Sequence, residues 1–178
     1  TRRLAVLARE VGPADVMPAP PPGVTLAPFR PGRDEGAWLA VNAAAFADHP
    51  EQGRLTAEDL ARRTAQPWFD PEDLVLARRD GEVVGSVWVK VEDAASGAGE
   101  LYVLGIAPAA QGTGLGAALT RVALARVAGR GLRRCLLYVD ADDARAVGVY
   151  TRAGFAEVAR HVQYGPLGTR GAAADDTM

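Results

Sequence analysis

Leu104-Gly105-Ile106-Ala107-Pro108-Ala109-Ala110-Gln111-Gly112-Thr113-Gly114-Leu115-Gly116 decides the fold of this chain, because an apolar strand here runs through glycines into the start of a helix. The first amides of a helix have no intrahelical partner, and the helix dipole adds positive potential. The turn is therefore a candidate cradle for a pyrophosphate, although a bare glycine cluster reads equally well as a flexible strand-to-helix loop. Two named phosphate motifs can be tested against it. A P-loop needs Lys and then Ser or Thr after its last glycine, and Ala117-Ala118 stand there instead. The dinucleotide pattern G-x-G-x-x-A matches Gly112, Gly114 and Ala117, but residues 108–111 separate it from the strand. No acidic residue lies about 20 positions on, and the chain that follows is too short for a doubly wound sheet.

Outward from this turn the pattern alternates between periods of two and 3.6. Residues 24–29 read as a strand and 34–47 as a helix with Trp38, Val41 and Ala45 on one side. Thr56 is an N-cap, with Glu58 and Asp59 in the first turn of a second helix. Strands at 74–79 and 82–92 are joined by Asp80-Gly81, a two-residue hairpin signal. The second alternates, with Val87, Val89 and Val91 on one face and Trp88, Lys90 and Glu92 on the other. A strand at 100–106, a helix at 114–128, a strand at 132–139, a helix at 143–152 and a strand at 155–164 complete the order βααβββαβαβ. The expected fold class is α/β: a mixed central sheet flanked by helices, with one parallel crossover. Leu4, Leu7 and Val11 suggest a short N-terminal helix, and Pro18, Pro20, Pro21 and Pro22 force extended backbone after it. The expected organisation is a linker or the tail of a missing upstream domain at 1–23, one domain at 24–165, and a flexible tail at 166–178.

Composition narrows the function classes. A chain of 178 residues with 48% hydrophobic and 24% charged residues suits one globular domain. Its net charge of -2 lacks the basic excess that nucleic-acid binding needs. The lone Cys135 excludes an internal disulfide framework and a multi-thiolate zinc site, and its place in an apolar run predicts a buried strand residue. No window approaches the ~18 consecutive apolar residues of a membrane helix, and no charged-then-apolar leader opens the chain, so the cytoplasm is the expected compartment, with no membrane partner. Nineteen arginines accompany a single lysine, Lys90. With that bias, a cation without a particular task would more often be Arg.

Leu104-Gly105-Ile106-Ala107-Pro108 followed by Gln111-x-x-Gly114-x-Gly116 resembles the acyl-CoA signature of the GNAT acyltransferase superfamily, over residues 24–164. The later motif N-x-x-A-x-x-x-Y appears as Asp143-x-x-Ala146-x-x-x-Tyr150. A finer resemblance, to the C-terminal catalytic domains of the mycothiol synthases, is carried by residues 29–35, Asn42, residues 49–53 and 67–71, and Leu137-Tyr138-Val139-Asp140. What it implies is acetyl-CoA as co-substrate, no metal, a small-molecule amine acceptor and an upstream tandem GNAT domain. Acetyl would pass to the cysteinyl amine of cysteinyl-glucosaminyl-inositol by direct transfer in a ternary complex. Another amine, such as a peptide N-terminus, or a CoA-binding regulatory domain without turnover, are the alternatives. The cofactor-binding positions implied are Leu104, Gly105, Ile106, Gln111, Gly112, Thr113, Gly114, Leu115, Gly116, Ala117, Asp143, Ala144, Arg145, Ala146, Val147 and Gly148. The substrate-binding positions are Glu51, Lys90, Glu100 and Tyr138, and the catalytic ones Glu100 and Tyr150. Asp143 departs from the usual Asn, replacing a donor by an acceptor that repels phosphate.

Chemistry gives these residues their tasks. Gly105 within a strand predicts a bulge or a close backbone approach. Such a strand could splay from the Cys135 strand to admit the pantetheine arm, while backbone amides of residues 104–106 polarise the thioester. By period two Glu100 shares a face with Tyr102, Leu104 and Ile106, and its Cα is about 13 Å from that of Leu104 at ~3.3 Å per residue. It would therefore take the amine proton through water. A hairpin centred on Ala95 sets Lys90 opposite Glu100, which from pattern alone is an ordinary salt bridge. Tyr150, with an unperturbed pKa of about 10 against about 8.5 for a thiol, suits proton donation to a departing sulfur. His49 has no second ligand nearby, so a metal role is not expected.

Overall fold

The computed structural model describes residues 2–49 and 51–163, so the expected tail at 166–178 lies outside the described residues. Among the described residues, seven strands form one sheet in the order β2-β3-β4-β5-β6-β1-β7. They are β1 (Arg2–Glu10), β2 (Thr25–Pro28), β3 (Leu74–Arg79), β4 (Glu82–Lys90), β5 (Ala98–Ile106), β6 (Arg134–Asp140) and β7 (Ala156–Gln163). The helices are α1 (Glu35–Ala45), α2 (Ala57–Thr64), α3 (Leu115–Gly129) and α4 (Ala144–Arg152). No described helix is long and apolar enough to cross a membrane.

The expected elements form for the expected reasons. Asp80 and Gly81 both adopt positive φ, 51° and 83°, which matches the twist of the β3–β4 hairpin. Thr56 accepts from the Asp59 amide while the Asp59 carboxylate accepts from the Thr56 amide, a closed capping box at the start of α2. Among the described residues the β5–α3–β6 connection is the one parallel crossover, and the other strand pairs are antiparallel.

One expectation is overturned. Residues 2–10 are a strand between β6 and β7, with Leu4 opposite Asp140 on one side and His161 on the other. They are neither a helix nor a linker, so the sheet begins before residue 24. Leu4, Leu7 and Val11 fall at helical spacing, but Ala5, Val6, Leu7 and Ala8 are all buried. A run buried on both faces is the mark of a central strand. Only the proline-rich stretch after Val11 connects one element to the next.

Two cores hold the sheet. On one face α1 and α2 cover Trp38, Leu60, Leu74, Leu76, Trp88 and Val103. On the other, α3 lays Leu115, Leu119 and Val122 over Val87, Val89 and Leu101, with Cys135 in the same cluster. Asp73, 1% exposed, ties the β3 entry to α3 through Arg126 at 2.9 Å and through Arg130. Burial pushes the Asp73 carboxyl up, and the two guanidinium groups oppose that shift.

Candidate active site

The site begins where two strands part. β5 pairs with β6 only from Ala98, opposite Arg134, to Glu100, opposite Leu136. Beyond Glu100, β5 continues to Ile106 against β4 alone, leaving its other edge unpaired. A wedge opens there, as expected for a strand that splays from the Cys135 strand. The cleft that continues from it has a volume of about 1260 Å³ and reaches the N-termini of α3 and α4.

The α3 end of the cleft is built from backbone. Gly112 and Gly114 have φ of 75° and 83°, a left-handed conformation that side chains resist, and Gly114 is the N-cap. The first intrahelical bond runs from the Ala118 amide to the Gly114 carbonyl, so the amides of Leu115, Gly116 and Ala117 have no partner within the helix. Gln111 Nε2 donates to the Ile106 carbonyl at 3.3 Å and Thr113 Oγ1 to the Ala110 carbonyl at 2.7 Å, which fixes the turn against β5. Leu104, Gly105, Ile106, Gln111, Gly112, Gly114, Gly116 and Ala117 all line the cleft. Thr113 and Leu115 do not; Leu115 is 1% exposed within the core, so only its backbone is available there.

Gly105 is neither the bulge nor the backbone approach expected of it; it is a strand glycine packed under side chains. A Cβ there would lie 3.1 Å from the Phe46 ring and 3.2 Å from the Ala45 methyl, at the end of α1. The bulge falls at Tyr102: Trp88 faces Val103 while Val89 faces Leu101. That extra residue changes the phase of the strand. Tyr102 and Val103 join the α1/α2 side, whereas Leu104 and Ile106 pack on the α3 side. Glu100 therefore shares its face with Tyr102 but not with Leu104 and Ile106, contrary to strict period two.

α4 supplies the other wall. Asp143 is its N-cap, accepting from the Ala146 amide at 2.9 Å. The carboxylate thus has a structural task within its own helix, one that Asn could also perform. Asp143, Arg145, Ala146 and Tyr150 line the cleft, whereas Ala144, Val147 and Gly148 do not; Val147 packs against the main core. Tyr150 packs edge-on to Phe155, with ring centres 5.9 Å apart. Burial, followed by the nearby Asp143 charge, pushes its phenol up to about 12.

Glu100 sits at the apex of the wedge, in register with Lys90 on β4. Burial raises its carboxyl above the usual range, the Lys90 ammonium lowers it, and Glu92 adds to the rise. The ordinary cross-strand salt bridge is not formed; Lys90 Nζ instead lies 3.3 Å from Glu92 Oε2. Tyr138 is two residues beyond Leu136 on β6 and 53% exposed. Glu51 is exposed and does not line the cleft, although its neighbours Asp48 and His49 do. His49 Nδ1 accepts from the Gln52 amide at 2.9 Å, so that ring organises its loop.

Of the positions that sequence singled out, Leu104–Ile106, Gln111, Gly112, Gly114, Gly116, Ala117, Asp143, Arg145, Ala146 and Tyr150 line one cleft, whereas Thr113, Leu115, Ala144, Val147, Gly148, Lys90, Glu100 and Tyr138 do not. Sequence reasoning missed Phe46, Arg121 and Arg152 as further lining residues. Arg121 follows Gly114 by seven residues, two helical turns, and that spacing was the available signal. Arg121, Arg145 and Arg152 form no ion pair among the described residues, so their charges are available to a polyanion. An unpaired strand edge, unpartnered helix-start amides and three uncommitted arginines fit a long ligand with an amide-bearing arm and phosphates. Among the described residues no group of three His, Cys, Asp or Glu side chains could hold a metal ion.

Comparison with known proteins agrees with this geometry. Residues 38–155 match the acetyltransferase (GNAT) family. A mycothiol acetyltransferase of Streptomyces griseus subsp. griseus is 55% identical over 155 residues, covering 86% of this chain and 50% of that protein. One of Frankia alni is 50% identical over 186 residues, covering 98% of this chain and 55% of its own length. The chain thus spans about half the length of the curated relatives it matches. A GCN5-related N-acetyltransferase from Sphaerobacter thermophilus superposes with a TM-score of 0.73 at 30% identity, over 89% of this chain and 49% of that one. With its splayed strands, glycine-capped helix start and matching sequence, the chain belongs to the acetyltransferase (GNAT) family.

Proposed function

We propose that this domain transfers acetyl from acetyl-CoA to the cysteinyl amine of cysteinyl-glucosaminyl-inositol, as a mycothiol acetyltransferase acting in the cytoplasm, with the second half that its relatives' length implies. The observation that carries the chemistry is the half-buried Glu100 at the point where β5 leaves β6. The acceptor is drawn from the relatives' names, at 50–55% identity over most of this chain.

Bound acetyl-CoA supplies an activated thioester and a thiolate leaving group. The amides of Leu115, Gly116 and Ala117, with Arg121 and Arg145, hold its phosphates in this reading. The free edge of β5 offers amides to the pantetheine arm and to the thioester oxygen. Glu100, kept less acidic by burial, accepts a proton from the acceptor ammonium through water, which frees the nitrogen to attack the carbonyl carbon. As the new C–N bond forms and the C–S bond breaks, the nitrogen's second proton passes through water to the departing thiolate, and Tyr150 donates a hydrogen bond to that sulfur. With its phenol pushed up to about 12 against about 8.5 for a free thiol, Tyr150 stays a donor more readily than it gives up its proton. That refines the proton-donor role expected from sequence.

Transfer is direct. The chain's one thiol, Cys135, is fully buried in the α3-side core, and burial pushes it up to about 12, so it is not a nucleophile that could carry acetyl. The deciding experiment is acetyl-CoA turnover with a panel of amines: the cysteinyl pseudodisaccharide, peptides with a free N-terminus, and no acceptor. The proposal requires the cysteinyl amine to be preferred. Preference for peptides replaces the acceptor, and no turnover with any amine leaves a CoA-binding domain.

A further inference from the structure

Lys90 is the only lysine in the chain, and its ammonium lies in an aromatic recess. Nζ is 4.9 Å from the centre of the Trp68 ring and 5.4 Å from that of Tyr102. The two rings meet edge to face, 5.5 Å apart at 75°, and both rest on the fully buried Trp88, at 5.8 and 5.4 Å. Tyr102 points this way because it is the bulge residue of β5. Trp68 arrives from another element, the connection between α2 and β3. The Arg63 guanidinium also lies over the Tyr102 ring, 5.6 Å from its centre, so Trp68 is the ring that Lys90 does not share; the carboxylate nearest the ammonium, Glu92 at 3.3 Å, is 71% exposed and therefore a weak competitor in water.

We propose that Trp68 and Tyr102 are positioning residues that clamp the Lys90 ammonium beside Glu100, so that acceptor binding depends on the α2–β3 connection. Ammonium groups are drawn to the faces of Trp and Tyr rings within about 6 Å, more strongly when partly desolvated. A compact ammonium fits between two rings that meet edge to face, where a planar guanidinium would stack on only one of them. That gives a physical reason for lysine at this position in a chain otherwise written with arginine. Held there, the ammonium keeps N–H donors on the Glu100 side of the sheet for a hydroxyl or carbonyl oxygen of the acceptor. Released, it would follow Glu92 into solvent.

The acceptor part rests on the function proposed above; the clamp itself does not. Both are tested with one set of proteins: wild type, Trp68→Phe, Trp68→Leu, Glu100→Gln, Lys90→Ala and the Trp68→Leu/Lys90→Ala double variant. Reductive methylation with 13C-formaldehyde labels Lys90 and the chain's amino terminus only. The terminus is recognised by its titration near pH 8, about the range of an α-amino group. The clamp predicts a wild-type Lys90 methyl signal displaced upfield by the rings and responsive to the Glu100 carboxyl. Trp68→Leu should lose most of both effects, Trp68→Phe should keep part of the displacement, and Glu100→Gln should lose only the carboxyl response. A wild-type signal at the position of free dimethyl-lysine, or one unmoved by Trp68→Leu, overturns the clamp. If Trp68→Leu does not fold, the wild-type and Trp68→Phe signals decide by the same criteria. In turnover, Trp68→Leu should raise the acceptor KM about 5- to 30-fold, the range of a partly desolvated cation–π contact, with kcat within about twofold. The double variant should be no worse than Lys90→Ala alone; additive losses would show that Trp68 acts independently of Lys90 and overturn the positioning role. Absence of wild-type turnover with the cysteinyl acceptor sinks the proposed function, while the methyl signals still decide the clamp.

Discussion

Replacing Glu100 by Gln keeps the side chain's shape and removes its capacity to take a proton. Its position defines what should follow. The residue lies at the last paired position between β5 and β6, with its Cα about 13 Å along the strand from that of Leu104 at ~3.3 Å per residue. A relay through water is the available route, and general-base help of this kind is worth ~100-fold or more. Turnover should therefore fall about 100-fold, near 2.7 kcal/mol of barrier, while acetyl-CoA affinity stays nearly unchanged. The wild-type kcat/KM should rise with pH through a limb set by the Glu100 carboxyl, above the ordinary carboxylate range because burial raises it. In Glu100→Gln that limb disappears, and activity recovers partly at high pH as the free amine becomes abundant. Stability should move the opposite way. A carboxyl whose folded pKa is raised binds its proton more tightly in the folded state. Its contribution is thus fully present below the unfolded pKa of about 4.3 and is lost as pH rises through the folded value. At neutral pH Glu100→Gln should melt at or above the wild-type temperature, and the difference should vanish near pH 3. Steady-state kinetics across a pH series, with melting curves at the same pH values, measures both. Retention of most turnover at neutral pH would refute the base assignment and return Glu100 to an ordinary sheet carboxylate.

Tyr150→Phe should lower kcat by about 10- to 100-fold, the range of a lost hydrogen bond to a charged atom, without changing acetyl-CoA affinity, and the wild type should show no loss of activity from Tyr150 ionisation below about pH 11, because its phenol is pushed up to about 12. Asp143→Asn should preserve the α4 cap and the melting temperature and tighten acetyl-CoA binding modestly by removing a negative charge from the cleft; Asp143→Ala should cost about 1 kcal/mol of stability, and calorimetric titration with thermal melts reads both. Cys135 should resist thiol reagents in the folded protein, with its thiol held near 12 inside the core, so labelling should track unfolding and should not block turnover before it. Acetyl-CoA at about 100 times its dissociation constant should stabilise by ~2.7 kcal/mol, visible as a raised melting temperature that NAD does not reproduce.

Much of this arrangement was legible in the sequence because its signals are local. The hairpin at Asp80-Gly81, the cap at Thr56 and the register of Lys90 with Glu100 depend on neighbours a few residues apart. So does the glycine-bearing start of α3. What escaped depends on distant partners. β1 is a strand because β6 and β7, more than 120 residues away, flank it; locally, Leu4, Leu7 and Val11 imitate a helix. The Tyr102 bulge escaped because alternation gives no hint of an extra residue in one strand of a pair. Gly105 pointed to a bulge or a close backbone approach, whereas packing shows a strand glycine lying under the side chains of Phe46 and Ala45. The Asp143 departure drew attention to phosphate repulsion, whereas the same position in the folded chain is first a helix cap.

Amide hydrogen exchange with and without acetyl-CoA tests the central claim most directly, because the claim concerns backbone groups. The account predicts protection on binding at the free-edge amides within residues 101–106 and at Leu115, Gly116 and Ala117, with the β2–β3 side of the sheet unaffected and no such pattern with NAD. Unchanged exchange at residues 101–117 when acetyl-CoA is bound, or protection confined to another part of the sheet, would contradict it.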